Sequence, residues 1–405
     1  MRVLYVSQTG MTEPLGQSQV IPYLAGLARV GYRIEIVTFE PEGVPPAAIA
    51  KVREQLGDLG IGYVWLPRRR AHDVATKVLE SGKALTRLVM RAVANRPQII
   101  HARSYLPAAV ARAARLLTPG SRFIFDCRGL LGDEYVDFGH WQRGSFNYRL
   151  LKAAERYLFG TADAVVCLTE RLSRWLRDEE QLVAAGTPVA VIPCCVDLGR
   201  FTVDKEARAR SRAALGASDD RFVLAYAGTL GAWYCEPQMA ELFAMLRRRR
   251  PALFAVFTRA DSEKLHAELR RRGIAAEDVV VQSGSQHDMP ALLAGADAAV
   301  SFAEPRFSKI ASSPVKVAEY LAVGLPVVVN RGVGDQDAMQ KAHPSSLIDG
   351  GLMGDRELDA VAARLTQLPR DEASRQQHRL VAAARFDLDA IGIARYRQLY
   401  ERLAR

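Results

Sequence analysis

At 405 residues and 49% hydrophobic, the chain exceeds what one core usually serves and can bury two. No uncharged apolar run approaches the ~20 residues that span a bilayer, the longest being Phe222 to Cys235, so a transmembrane helix is excluded. The net charge of +10 is uneven: residues 1–200 hold 26 Lys/Arg against 19 Asp/Glu, leaving 29 against 26 for the rest, so the first half meets the more acidic partner. Five cysteines, odd in number and without a C-x-x-C pair, argue against a disulfide frame or a zinc site and read as packed thiols. The N-terminal apolar stretch, Arg2 to Ser7, is too short for a signal peptide and reads as a buried strand, so a cytoplasmic protein is expected.

In chain order, Val3 to Ser7 is a strand, followed by a loop with Gly10, Pro14 and Gly16 and a helix from about Gln19 to Val30 that Gly31 ends. Strands follow at Ile34–Phe39, Tyr63–Leu66, Gln98–Ala102, Phe123–Asp126, Ala164–Leu168 and Val189–Pro193, with helices between them. A polar, charged stretch at 203–220 reads as a linker, after which a second series gives strands at Phe222–Ala227, Leu253–Thr258, Val279–Gln282, Ala298–Phe302 and Val327–Val329. This alternation is best explained by doubly wound parallel sheets. A last helix, roughly Leu388 to Leu403, repeats apolar residues at Ile393, Tyr396, Leu399, Tyr400 and Leu403 and is expected to brace the first domain.

Residues 68–103 hold nine basic side chains against Asp73 and Glu80, with an apolar stripe at Val74, Val78, Leu85, Leu88 and Ala92. Without interleaved aromatics the pattern speaks against nucleic acid and for an anionic membrane surface; the plain alternative is a solvated helix packed on its own domain.

The chemistry is expected to be anchored in Ser312 to Asn330. Ser313 suits an N-cap and Pro314 the first helical position, which would leave free amides at a helix start, an anion site. Gly324 closes the helix in a left-handed turn, Pro326 stops it, and Val327–Val329 is a buried strand. Lys316 and Glu319, three apart, share one helical face and offer a cation for a phosphate and a carboxylate for paired hydroxyls. No competing cofactor motif is present. A dinucleotide fingerprint is missing, Gly82-Lys83 is followed by Ala84 where a P-loop needs Ser or Thr, and the seven histidines show no metal-ligand spacing.

Ser313-Pro-Val-Lys-Val-Ala-Glu-Tyr-Leu-Ala-Val-Gly-Leu-Pro-Val-Val328 resembles the donor-binding segment of retaining GT-B glycosyltransferases, glycosyltransferase family 4. Leu15 to Leu27, Val191 to Phe201 and Gly284 to Pro290 agree in order and position, so the resemblance spans the chain. It implies an α/β protein of GT-B type, two Rossmann-like doubly wound domains facing a central cleft. Residues 1–200 would form the acceptor side, 201–385 the nucleotide-sugar side, and 386–405 a helix crossing back to the first domain. The implied reaction moves a hexose-type group from a nucleoside-diphosphate-sugar to a hydroxyl of a lipid-linked glycan in cell-surface polysaccharide synthesis. The anomeric configuration is retained, with no cofactor and no metal. Such a protein would sit in the cytoplasm, docked peripherally at the inner face of the cell membrane.

By the same resemblance Glu319 would bind the donor ribose, and Lys316 with the amides after Ser313 its diphosphate. Ser285, Gln286 and His287 would lie along the base, and Gly16 and Gln17 would approach the phosphate or sugar. His101 and Arg103, at the end of the fourth strand, occupy the position of a histidine that meets the transferred sugar. Asp126, Arg128, Asp133 and Glu134 are expected to contact the acceptor or orient that pair, the alternative being surface ion pairs. Two departures stand out. Ala311 occupies the place of a glutamate that acts near the sugar, and Gly228-Thr-Leu-Gly231 lacks the usual Arg and Lys phosphate clamp; Arg259 is the candidate replacement, with a surface pair to Asp261 as its alternative. The rival readings are a nucleotide-sugar 2-epimerase of similar fold, a pyridoxal-phosphate phosphorylase, and a non-catalytic nucleotide-sugar-binding partner.

Overall fold

Strands joined by helical crossovers must run parallel, and every strand pair in the computed structural model does. The structure describes residues 1–68, 86–87, 90–91 and 94–405. Most of the basic, apolar-striped segment therefore lies outside the described residues. The chain divides into two units, residues 1–193 with 388–405, and residues 194–387.

In the first unit, β1 (Arg2–Ser7), β2 (Arg33–Pro41), β3 (Gly62–Arg68), β4 (Ile99–Arg103), β5 (Arg122–Asp126), β6 (Ala164–Cys167) and β7 (Val189–Val191) form one sheet. Their order is β3-β2-β1-β4-β5-β6-β7. Tyr5 on β1 pairs with His101 on β4, and Arg103 pairs with Asp126 at the end of β5. The strand order reverses between β1 and β4, so their carboxyl ends open a crevice of the kind where doubly wound sheets bind ligands. The C-terminal residues belong to this unit: a π-helical turn, Leu388–Ile393, leads into the helix Ala394–Ala404. A Cβ on Gly26 would lie 1.8 Å from Ile393 Cδ1, so the glycine lets the Ile393 side chain pack directly on the helix Ile21–Arg29.

The second unit holds β8 (Phe222–Ala227), β9 (Ala252–Phe257), β10 (Val279–Gln282), β11 (Ala298–Ser301), β12 (Val327–Val329) and β13 (Leu347–Asp349), in the order β10-β9-β8-β11-β12-β13. Alternation along β8 splits its side chains between two cores. Phe222, Leu224 and Tyr226 join the cluster containing Leu242 and Phe243, whereas Val223, Ala225 and Ala227 join the one containing Val317 and Leu321. The reversal here falls between β8 and β11.

Three local expectations change. The stretch read as a linker contains the helix Lys205–Ala214, capped by Asp204, whose carboxylate accepts from the Ala207 amide at 2.6 Å. Arg208 and Arg212 from that helix hold the buried Asp297 at 2.6 and 3.2 Å, just before β11. The stretch reads as a linker in the sequence because the partner of its arginines lies 85 or more residues away. The loop after β1 turns helical earlier, at Pro14–Gln19, and β13 was missed because three residues carry no period. Among the described residues no helix is long and apolar enough to cross a membrane.

Candidate functional site

The helix Val315–Val323 follows β11 and starts beside the carboxyl end of β8. Its residues from Lys316 to Val323 are all buried, so tertiary packing on every side fixes it. Gly324 closes it at φ +90, where a Cβ would meet the Arg375 backbone oxygen at 3.0 Å. The entry differs from the expected cap: Pro314 itself occupies the N-cap, and the Ser313 hydroxyl accepts from the Cys194 amide at 3.3 Å. The Val317 amide donates to the Pro314 carbonyl at 3.1 Å, which leaves the amides of Val315 and Lys316 without an acceptor within the helix, as at any helix start.

Lys316 is the unusual group. Its side chain is buried, and Nζ donates to the Tyr226 hydroxyl at 3.1 Å. The same ammonium lies 4.2 Å from the Tyr226 ring centre and 4.4 Å from that of Tyr234. Burial pulls its pKa down to about 7, against the opposing pull of Glu319. Gly228, at φ +135, follows β8, and a Cβ there would stand 2.9 Å from Nζ. The glycine is thus required both by its backbone and by the space the ammonium occupies.

Glu319, one turn on, is also buried, and burial raises its pKa despite a hydrogen bond from the Gln286 amide and the charges of Lys316 and Arg200. Arg200 donates to the Gln286 carbonyl at 3.4 Å. Gln286 belongs to a loop set by Asp288, whose carboxylate accepts from the Ser285 amide and hydroxyl at 2.8 and 2.6 Å. His287 is exposed on that loop. Arg259, also exposed, donates to the Gly284 carbonyl at 3.1 Å, while Asp261 accepts from the Glu263 amide. Lys316, Glu319, Gln286 and Arg200 are therefore brought together, with Arg259 at the edge of the same loop.

The structure adds residues the sequence did not single out. Lys309 is buried after β11, with Nζ 3.8 Å from the Trp233 ring centre. Trp233 and Tyr234, neighbours in the turn Ala232–Tyr234, thus each face one buried lysine. Two lysines inside an apolar stretch, Phe307 to Val323, were the available signal, because Lys is almost never buried without cause. Ala311, the expected glutamate position, is fully buried.

In the first unit the residues ending β4 and β5 also converge. His101 is 1% exposed, with Nδ1 2.6 Å from the Tyr400 hydroxyl and Nε2 3.4 Å from Asp126. Tyr396 donates to the same carboxylate at 3.2 Å. Burial lowers the His101 pKa. Burial alone would raise that of Asp126, but Arg128, His101 and Arg103 together hold it below the usual carboxylate range. Arg128 lies 3.4 Å and Arg103 3.9 Å from that carboxylate. Both ring nitrogens of His101 are thus engaged within the unit. Of the two arginines Arg128 is the more exposed, at 14%.

Other candidates are used within the unit. Asp133 is 1% exposed and bound by Lys152 at 3.0 Å, the Tyr148 hydroxyl at 3.2 Å and Arg143 at 3.6 Å. It is thus engaged in a buried ion pair. Glu134 is partly exposed beside it. Gly16 is required by its own chain, since a Cβ would lie 2.1 Å from the Gly10 carbonyl oxygen. Gln17 donates to the Met11 carbonyl at 2.8 Å. Glu40, missed in the sequence, organises this loop by accepting from the Met11 amide at 2.6 Å, the Thr12 hydroxyl at 2.6 Å and Tyr63 at 2.8 Å.

Two parallel, doubly wound sheets of this kind, each with ionisable groups gathered at its switch point, define a GT-B architecture. Residues 20–195 match the family described as "Glycosyl transferase 4-like domain", and residues 207–386 that described as "Glycosyl transferases group 1". The chain belongs to the GT-B glycosyltransferases of family 4 type. TuaC of Bacillus subtilis (strain 168), named for teichuronic acid biosynthesis as a glycosyltransferase, is 24% identical over 332 residues, covering 80% of this chain and 78% of that protein. Anabaena Alr3699/HepE, solved with UDP, superposes with a TM-score of 0.74 at 16% identity over 100% of both chains. Sucrose-phosphate synthase (tll1590) from Thermosynechococcus elongatus gives 0.76 at 16% identity, over 100% of this chain and 99% of that one.

Proposed function

We propose that the protein transfers a sugar, with retention, from a nucleoside-diphosphate-sugar to a hydroxyl of a lipid-linked glycan in cell-surface polysaccharide synthesis. The observation that carries this reading is the buried Lys316–Glu319 pair at a helix start beside the β8/β11 switch point. Lys316 and the first-turn amides would hold the diphosphate, Glu319 the ribose hydroxyls, and Arg259 would add charge from the edge. The HepE complex with UDP and the TuaC relationship support a nucleotide-sugar donor and a polysaccharide product. Preorganised cations would stabilise the leaving diphosphate, which takes the acceptor proton itself, and one such donor is worth ~3 kcal/mol. Positive charge from these side chains would make a divalent metal unnecessary. The basic first half supports docking at an anionic membrane, where lipid-linked acceptors reside.

The test is incubation of the protein with nucleotide sugars, with and without glycan-lipid acceptors, with the product anomer assigned by NMR. Transfer with retention, unchanged by EDTA and lost in Lys316→Ala, is expected. Conversion of donor without acceptor would instead identify a 2-epimerase. A second reading rests on Ala311: a donor-binding partner without turnover, which would bind nucleotide sugar and transfer to no acceptor.

A further inference from the structure

The sheet of the first unit ends at β7, whose outer side opens onto a groove of about 540 Å³. Two helical rows wall it. The helix Glu170–Arg174 and the π-helical turn Trp175–Glu179 supply Glu170, Ser173 and Arg177, and the C-terminal helix supplies Arg395, Gln398 and Arg402. A parallel edge strand alternates its polar groups between its neighbour and the outside. The Val165 amide donates to the Pro188 carbonyl and the Ile192 amide to that of Cys167, which turns the amides and carbonyls of Val189 and Val191 toward the groove. Arg177 donates to the Val189 carbonyl at 3.1 Å, and Arg395 to that of Val191 at 2.6 Å. These bonds close the carbonyls to a further strand, as charged side chains on an edge commonly do.

Edge protection does not account for the whole arrangement. Each of those guanidinium groups spends one nitrogen on a carbonyl, is held in place by it, and keeps its other donors. Among the described residues the Arg402 guanidinium makes no hydrogen bond or ion pair, and no carboxylate pairs with Arg177 or Arg395. The lining holds these three arginines against the single carboxylate of Glu170; Asp178 and Glu179 follow Arg177 but do not line the groove. Fixed guanidinium forks beside outward amides suit phosphate oxygens. The two anchoring carbonyls stand about 7 Å apart along the strand, so two linked phosphates can meet a guanidinium at each end. Other occupants fit less well. Leu399 is buried and both valines are half-buried, so no apolar side chain stands out to enter a bilayer. No aromatic ring lines the groove for stacking the bases of a nucleic acid, and a second copy would set arginine against arginine.

We infer that the groove along β7 is a binding site for a linked diphosphate, free or carried by a nucleoside, held by Arg177, Arg395 and Arg402 with the Val189 and Val191 amides. It belongs to the first unit, whereas Lys316 and Glu319 belong to the second. The test is isothermal titration calorimetry on the full chain at fixed ionic strength, with pyrophosphate, uridine diphosphate and inorganic phosphate as titrants. Lys316→Met serves as the background, because it removes the phosphate cation of the proposed donor site. In that background pyrophosphate should still bind, and inorganic phosphate at least about ten-fold more weakly. Adding Arg402→Gln, which frees no backbone carbonyl, should weaken pyrophosphate about ten-fold with far-UV circular dichroism unchanged, and adding Arg395→Gln as well should abolish binding. Uridine diphosphate bound as tightly as pyrophosphate, and lost with the same arginines, would make a nucleotide the occupant. Pyrophosphate bound alone would make it the free anion, and either result supports the site. Absence of pyrophosphate binding in the Lys316→Met background, or binding untouched by the arginine substitutions, would overturn it. Inorganic phosphate bound as tightly as pyrophosphate would overturn the diphosphate assignment.

Discussion

Lys316 gives the sharpest quantitative consequence of the proposed donor site. Its ammonium sits among Tyr226 and Tyr234, where burial brings its pKa down to about 7. A diphosphate placed beside it would restore the ordinary lysine value, so donor binding must take up a proton wherever the free protein has lost one. The protonated fraction then falls from about 0.8 at pH 6.5 to about 0.03 at pH 8.5, weakening donor affinity roughly 25-fold, or about 2 kcal/mol. The diphosphate diester of a nucleotide sugar does not titrate in that window, so its phosphates add nothing to the slope. Isothermal titration calorimetry in buffers of different ionisation enthalpy should find about half a proton taken up at pH 7 and nearly one at pH 8.5. Lys316→Arg should flatten the profile, because guanidinium stays charged throughout. For stability the sign is fixed by a folded pKa below the unfolded one: the charged form destabilises the fold below pH 7, and the penalty fades as pH rises from 7 toward 10.5. Lys316→Met should therefore raise the unfolding midpoint at pH 6.5 while abolishing donor binding. Donor affinity independent of pH, with no proton uptake, would refute the reasoning.

Three further outcomes follow from the same geometry. Glu319→Gln should weaken nucleotide-sugar binding about 100-fold, and it should erase discrimination against a 2′-deoxyribose donor, measured by competition. Gly228→Ala places a methyl group against Lys316 Nζ and a side chain at φ +135, so donor affinity should fall at least about ten-fold, with a smaller loss of thermal stability. Asp126→Ala leaves Arg103, Arg128 and His101 without their carboxylate and should cost about 3–5 kcal/mol in denaturant unfolding. The folded pKa of Asp126 lies below its unfolded value, so its contribution is present above about pH 4 and is lost as pH falls further.

The strands and the helix Val315–Val323 were legible because they depend on local signals: apolar runs bounded by turns, a glycine closing a helix, a proline stopping it. All strands but β13 were anticipated, and Gly324 takes the left-handed turn its place before Pro326 called for. What local signals miss is partnership across distance. The Lys205–Ala214 helix looked like a linker because the carboxylate that neutralises Arg208 and Arg212 lies at Asp297. Asp133 looked available for a substrate because Lys152 and Tyr148, on the next helix, were not visibly its partners. His101 looked like a strand-end residue open to a ligand until Tyr396 and Tyr400, about 300 residues further on, closed over it. The period of that last helix was plain in the sequence, but the residues its two tyrosines would bind were not.

The central claim is that Lys316 and Glu319 hold the nucleotide end of an activated sugar. Saturation-transfer NMR with a panel of nucleotide sugars, run on wild type and on Lys316→Ala and Glu319→Ala, tests it most directly. The account predicts base and ribose signals from one nucleotide class on the wild type. In Glu319→Ala the ribose signals should be lost, and in Lys316→Ala the whole ligand. Equal signals from all three proteins, or none from any nucleotide sugar on the wild type, would contradict it.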